Sequence, residues 1–301
     1  MRQILCGAAA ALCLLAVGAA SAAPVQNLPQ LDGRRALEYT RQFVAIGPRW
    51  IGSPGHAKAE AFLKDHFRHD ALEEDTFTAK TPAGSMQMHN FIVRFPGKKD
   101  GVIVFATHYE TNYWLRNVNF VGANDGGSTT GLLLAMADWL RAHPPQGYSV
   151  WLVFFDGEES IQPQWSDSDA LYGSRHLAEK WQGDGTLKRV KALILADMLG
   201  DKDLDIDRDQ NSTGWLEDLV RNAASKYGYQ SYFFARDNQV DDDHMPFVHR
   251  GVPCADIIDI DYGYENSFHH TVEDTMDKLS AESLTISGDA FLESISLLNQ
   301  R

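Results

Sequence analysis

The sequence predicts an α/β fold: a single three-layer domain with a mostly parallel, mixed central sheet that carries helices on both faces. Three observations support this prediction. After Gly97, short apolar runs alternate with segments of helical periodicity, which is the pattern of strands joined by crossover helices. The apolar runs have the composition of strands buried on both faces. The 301 residues are also enough to bury a full core.

The elements before Gly97 are two helices and a hairpin. Helical spacing covers residues 36–47 and 54–68, and Pro54 suits the first turn of the second helix. Residues 73–95 alternate around Thr, Phe, Met and Val, with a turn at Pro82, and therefore predict a hairpin.

Strands and helices then alternate to the end of the chain. The predicted strands are 102–107, 150–155, 192–196 and 255–260, and the predicted helices are 129–141, 174–181, 212–228 and 281–299. In a sheet of this kind, ligands gather at the carboxyl ends of the strands.

The first residues have the features of a targeting segment. Arg2 forms a short basic region, residues 4–17 are apolar, and residues 20–22 (Ala-Ser-Ala) fit a cleavage site. The apolar run is short for a membrane span, so we expect export to the periplasm or the extracellular space without a membrane anchor. The predicted organisation is a signal peptide at 1–22, an N-terminal lead-in at 23–35 and one domain at 36–301.

Cysteine content and charge limit the possible chemistry. Cys6 and Cys13 would leave with the signal peptide, so the mature chain keeps only Cys254 and forms no internal disulfide. Cys254 lies in a strand-like run and is predicted to be a small buried residue. The net charge of −14, or −15 without Arg2, argues against nucleic acid or an anionic membrane as a partner. It is compatible with a cationic substrate such as a free α-amino group.

Two adjacent carboxylates, Glu158 and Glu159, follow the apolar run 150–155 where the strand should end. A turn after a strand can direct both side chains into one crevice, where one carboxylate holds a metal and its neighbour moves protons. A Glu-Glu pair taken alone is more typical of a solvated acidic turn. Four other positions change that interpretation, because each lies at or just beyond the end of a strand-like run: His108, Asp125, Asp197 and His270.

These residues together form an oxygen and nitrogen ligand set that zinc accepts. Individually, His108 could be a core histidine and Asp125 a helix cap. Asp197 interrupts an apolar run, where a carboxylate is costly to bury unless it is paired or metal-bound. Spacing alone does not decide whether His269 or His270 is the ligand.

The motifs, in their order along the chain, resemble the zinc aminopeptidase superfamily over about residues 40–298. They are residues 47–55, 108–110, 122–125, 156–159, 242–247 and 270–271. Residues 165–176 (Trp-Ser-Asp-Ser-Asp-Ala-Leu-Tyr-Gly-Ser-Arg-His) are similar to the animal-type, zinc-dependent glutaminyl cyclases and their bacterial relatives. The Gly-Ala-Asn-Asp and Asp-Asp-His versions of two motifs are similar to the same branch.

The resemblance implies a glutaminyl-peptide cyclotransferase, which converts the N-terminal glutamine of peptides to pyroglutamate and releases ammonia. It implies one zinc ion held by Asp125, Glu159 and His270. Glu158 would be the general acid and base. The resemblance also implies a hydrogen-bonded carboxylate pair, Asp242 and Asp197, and a substrate pocket walled by Trp165 and His269. The cyclases usually carry Trp where this chain has His269.

The alternative is a secreted zinc aminopeptidase that hydrolyses the first peptide bond. Such enzymes use a second zinc ion, held by the equivalents of His108 and Asp197, with Asp125 bridging the two ions. Both residues are present, but Glu110 stands where that motif normally has Asp. A third possibility is a binding module that has lost catalysis, and the complete ligand set argues against it.

Overall fold

The computed structural model describes residues 28–166 and 168–301. The predicted signal peptide at 1–22 lies outside the described residues. The helices are α1 Gly33–Val44, α2 Pro54–His66, α3 Gly127–Ala142, α4 Tyr172–Asp184, α5 Gly214–Ser225, α6 Met245–Val248 and α7 Ala281–Leu298. The strands are β1 Ala71–Thr81, β2 Gly84–Phe95, β3 Lys99–His108, β4 Tyr148–Phe155, β5 Val190–Asp197, β6 Ile206–Asp209, β7 Phe233–Asn238 and β8 Cys254–Ile258.

The central sheet has six strands in the order β1-β2-β4-β3-β5-β8. Strands β4, β3, β5 and β8 run parallel to one another. The β1–β2 hairpin joins antiparallel at one edge through the pairing of β2 with β4. The predicted mixed, mostly parallel sheet is therefore confirmed.

Helices cover both faces of this sheet because the strand residues alternate between two apolar cores. In β3, Ile103 and Phe105 pack into the core beneath α1, α3, α5 and α7, whereas Val102, Val104 and Ala106 face α4 and α6. Both sides of the strand are thus removed from water, which explains its nearly unbroken apolar run. The predicted three-layer arrangement is confirmed, and Cys254 is buried, as expected.

Capping residues determine where several helices begin. The Asp32 side chain accepts a hydrogen bond from the Arg35 backbone, so α1 begins at Gly33 and not at residue 36 as predicted. Ser53 caps α2 ahead of Pro54 in the same way, and its side chain accepts from the His56 backbone. Within the described residues, no helix is both long and apolar enough to cross a membrane.

The sequence did not predict β6, β7 or α6. Strands β6 and β7 pair in parallel as a separate two-stranded sheet, and α6 has only one turn. These elements are too short to show periodicity, and contacts with the rest of the fold stabilise them. Together they position the loop 239–244 at the edge of the main sheet.

Candidate active site

The carboxyl ends of the parallel strands meet at one edge, as the sequence predicted. His108 ends β3, Asp197 ends β5, and Glu158 and Glu159 follow β4 within four residues. A cavity of about 160 Å³ opens at this edge. Its walls include most of the predicted site residues: Asp125, Glu158, Glu159, Trp165, Asp197, Asp242, His269 and His270. His108 lies buried beside them, 2% exposed.

Asp125, Glu159 and His270 form the first possible metal site. The His270 Nε2 atom lies 3.3 Å from Asp125 Oδ2 and 3.1 Å from Glu159 Oε1. Asp125 Oδ2 is buried without a hydrogen-bond partner. Asn112 donates to the other Glu159 oxygen. Two carboxylates and one imidazole are ligand types that zinc accepts, and His269 also offers a ligand atom within 4.8 Å of those of Asp125 and His270.

Backbone contacts hold these side chains in place. The Asp274 carboxylate accepts hydrogen bonds from the backbone N–H groups of Asn124 (2.8 Å) and Asp125 (3.2 Å), and from the Tyr262 hydroxyl (2.9 Å). One buried carboxylate therefore ties the loop that carries Asp125 to the segment that follows His270. His270 itself has a φ of 53°, a left-handed conformation that is uncommon for a residue with a side chain.

Arg49 braces the same loops from beneath. Its guanidinium is fully buried and donates to the backbone carbonyls of Tyr109 (3.0 Å), Val121 (2.6 Å) and Gly122 (3.0 Å). Burial lowers the pKa of Arg49 to about 10, against the opposing effect of Asp125, so the group stays protonated at neutral pH. Neither Arg49 nor Asp274 was assigned a role from the sequence, although Arg49 lies inside one of the motifs.

His108, Asp125 and Asp197 form a second group of possible ligands. His108 Nε2 lies 3.1 Å from Asp125 Oδ1 and 3.3 Å from Asp197 Oδ1. The two oxygens of Asp125 therefore face two different histidines. Glu110 Oε2 is 3.8 Å from His108 Nδ1, beyond hydrogen-bond distance, and Glu110 Oε1 instead accepts from the Glu159 backbone at 3.0 Å.

Glu158 is protonated more readily than an ordinary glutamate. Burial raises the pKa of its carboxyl well above the usual value, and the charges of Glu159 and Asp242 add to the shift. Burial also raises the pKa of Asp242 to about 7, with a further contribution from Asp197. A buried carboxyl group with a raised pKa, beside possible metal ligands, is suited to acid and base catalysis.

Trp165 and His269 form part of the cavity wall. Trp165 is 41% exposed, and the rings of His269 and His270 lie with their centroids 4.0 Å apart. Burial, with the neighbouring His270, lowers the pKa of His269 to about 4. His269 is therefore a neutral imidazole at the position where the resembling cyclases have Trp.

The loop that carries Asp242 contacts Asp209, a residue that the sequence did not indicate as part of the site. Asp209 Oδ1 accepts from the Val240 backbone at 3.0 Å, and Asp209 Oδ2 lies 3.1 Å from His244 Nε2. One end of the segment around Asp242 is thus hydrogen-bonded to Asp209, and the other end lies beside the same buried carboxylate. Asp209 lies on β6, which was too short to predict, so its proximity to the site was not readable from spacing.

The α/β fold with possible metal ligands at the carboxyl ends of its strands is the arrangement of a metal-dependent enzyme. The chain belongs to peptidase family M28, whose family model matches residues 90–295.

Within that family the chain is similar to glutaminyl cyclases. It is 30% identical over 285 residues to a glutaminyl-peptide cyclotransferase of Drosophila melanogaster. The matched region covers 82% of this chain and 79% of the relative. The crystal structure of an Acidobacteriales bacterium glutaminyl cyclase is 62% identical, with a TM-score of 0.90, over 94% of this chain and all of the other. The Porphyromonas gingivalis glutaminyl cyclase is 26% identical, with a TM-score of 0.79, over 89% of this chain and 98% of the other.

Proposed function

We propose that the protein is a zinc-dependent glutaminyl-peptide cyclotransferase that converts the N-terminal glutamine of peptides to pyroglutamate and releases ammonia. The similarity to glutaminyl cyclases supports this function over peptide hydrolysis. The observation that carries the proposal is the convergence of Asp125, Glu159 and His270 beside Glu158 in one small cavity. We expect the protein to be exported, and the mature enzyme would then act in the periplasm or outside the cell.

Asp125, Glu159 and His270 would hold the zinc ion, and one coordination position remains for the substrate. A bound zinc ion would supply Lewis acidity and polarise the carbonyl of the γ-carboxamide. The acidic walls of the cavity attract the positively charged amino terminus of the peptide, which gives up its extra proton to solvent to become the neutral amine that attacks. The attacking group belongs to the same residue as the carbonyl, so holding that residue in the cavity removes most of the entropic cost of reaction.

Glu158 would move the proton. Its carboxylate takes a proton from the substrate α-amine as the new C–N bond forms, and it returns the proton to the γ-nitrogen as ammonia leaves. This exchange needs a carboxyl group with a raised pKa, which burial and the charges of Glu159 and Asp242 provide at Glu158. Asp242 and Asp197 would support Glu158, and Trp165 and His269 would enclose the glutaminyl side chain.

Aminopeptidase activity is the second candidate, and one observation favours it. His108 and Asp197 lie close to Asp125 Oδ1, so the chain retains the residues for a second ion bridged by Asp125. Against it, Glu110 lies too far from His108 to orient the ring by a hydrogen bond. We therefore propose one zinc ion per chain.

Ligand variants test the proposed site. We expect Glu159→Gln and His270→Ala to lose both zinc and the release of ammonia from a Gln-initiated peptide. His269→Ala is the matched control, because it removes the adjacent imidazole, and we expect it to retain zinc. Zinc content is measured by elemental analysis and ammonia by a coupled assay. Full zinc occupancy in both ligand variants would refute the assignment.

A further inference from the structure

A large groove continues from the catalytic cavity. Its volume is about 630 Å³, against about 160 Å³ for the cavity, and the two share Trp165 and Asp241 in their walls. The groove runs along α4 and α6, with Arg175 on one side and Arg250 just beyond the other helix. The shared walls place the groove directly beside the cavity, on its way to the surface.

The small cavity leaves little room beyond the reacting residue. A peptide substrate continues past its first residue, and this continuation has to leave the cavity. The groove begins at Trp165 and Asp241, where the cavity ends, and its apolar side is formed by Met245 and Pro246. It is therefore placed to take the residues that follow the N-terminal glutamine.

The cavity and the groove differ in charge. The cavity end is lined by carboxylates, among them Glu158, Asp197 and Asp242. The groove contributes Arg175, His249 and Arg250, against the carboxylates of Glu179 and of Asp241 at the junction. A peptide bound with its α-amine in the cavity therefore extends from a region of carboxylates towards one in which Arg175 and Arg250 balance two carboxylates.

Arg250 is the cation best placed to form an ion pair with a negatively charged side chain of the substrate. Its guanidinium donates to the side-chain carbonyl of Gln182 (3.1 Å) and to the backbone carbonyl of Pro246 (2.7 Å). Both acceptors are uncharged, so these contacts hold the guanidinium in place without neutralising it. On the α4 side, Arg175 donates to the Leu171 carbonyl at 3.2 Å.

We propose that this groove binds the residues after the N-terminal glutamine and favours substrates with negative charge at the third and fourth positions. The inference rests on the proposed cyclotransferase function. An extended chain advances about 3.3 Å per residue, so the third residue begins roughly 7 Å beyond the reacting residue, on the side where the groove adjoins the cavity. Ion pairs at partly exposed sites are modest, and we expect a selectivity of about two- to fivefold for each arginine.

Three peptides that differ at the third and fourth positions test the proposal: Gln-Ala-Glu-Glu-amide, Gln-Ala-Gln-Gln-amide and Gln-Ala-Lys-Lys-amide. The Glu and Gln peptides have the same shape, so their difference isolates charge. Ammonia release gives kcat/KM for each peptide, divided by the value for Gln-Ala-amide, which has no third residue. We expect the order Glu, Gln, Lys, expressed mainly in KM, and its loss in 0.5 M salt at the screening length of about 4 Å.

Arginine variants identify the residues responsible. Arg250→Gln should reduce the preference for the Glu peptide, whereas Arg250→Lys keeps the charge and should retain most of it. Because each variant is normalised to Gln-Ala-amide, a general loss of activity does not imitate the effect. Equal normalised values for the three peptides in the unaltered enzyme would refute the groove but leave the cyclotransferase function standing. Absence of ammonia from every peptide would refute both.

Discussion

The Arg49 brace gives the sharpest prediction about how the fold supports the site. Arg49→Met keeps an unbranched apolar stem but removes the guanidinium that donates to the carbonyls of Tyr109, Val121 and Gly122. The side chain is fully buried, so water does not replace the lost donors without opening the structure. The loop from Gly122 to Asp125 would then lose its support from below.

The magnitude follows from the number of contacts. A hydrogen bond from a charged donor contributes about 1.5–3 kcal/mol to stability. Three such bonds to one group are not fully additive, so we expect Arg49→Met to lower the free energy of unfolding by about 4–6 kcal/mol. Arg49→Lys keeps the charge but lacks the planar fork, and it should lose about 1–3 kcal/mol. Loosened support of a metal ligand typically weakens metal affinity by about 10- to 100-fold.

Urea unfolding of the two variants measures the first quantity, and a competitive zinc titration measures the second. The urea concentration at the midpoint of unfolding should fall, whereas the dependence of the free energy of unfolding on urea concentration should stay the same. That result would show that the native state lost stability. Arg49→Lys keeps the experiment informative if Arg49→Met does not fold. A loss below about 1 kcal/mol in Arg49→Met, with unchanged zinc affinity, would show that the brace does not support the site.

Two further predictions concern proton transfer and pH. Glu158→Gln should keep zinc but lose about two to four decades of turnover, because an amide does not shuttle protons; near-normal turnover would make Glu158 a structural residue. The buried His56 ring lies 2.8 Å from Asp156 Oδ1, and although burial opposes it, this carboxylate raises the pKa of His56 to about 9, above the ordinary 6.5. The pair therefore stabilises the fold fully below about pH 6.5, by about 3 kcal/mol, and this contribution is lost as pH rises through about 9. Between pH 6 and 10, the urea midpoint should fall more steeply with rising pH in the unaltered protein than in His56→Asn. The same pH dependence in both proteins would contradict the assignment.

The sequence predicted the parts of the fold and site that depend on local pattern. The long strands and helices have clear periodicity, and Glu158, Asp197 and His108 follow strand ends where parallel sheets gather their ligands. Asp197 was readable because it stands out in an apolar run. These predictions needed only the order of residues along short segments.

Other features were not readable because they depend on contacts between distant segments. Asp274 binds the backbone of Asn124, 150 residues away along the chain, and Arg49 binds carbonyls 60 to 73 residues away. Backbone N–H and carbonyl groups are nearly the same in every residue, so residue types do not reveal which backbone group a side chain contacts. Strand β6, which carries Asp209, has only four residues and exists through its pairing with β7.

Metal content measured beside product release tests the central claim most directly. The purified enzyme is analysed for zinc and assayed on a Gln-initiated peptide and on a leucyl substrate. We predict about one zinc per chain, ammonia released in step with the pyroglutamyl product, and no free leucine. The substrate amine is the nucleophile, so the reaction does not need a water held between two zinc ions. Two zinc ions per chain, rapid release of leucine and no ammonia would contradict the account and establish the aminopeptidase.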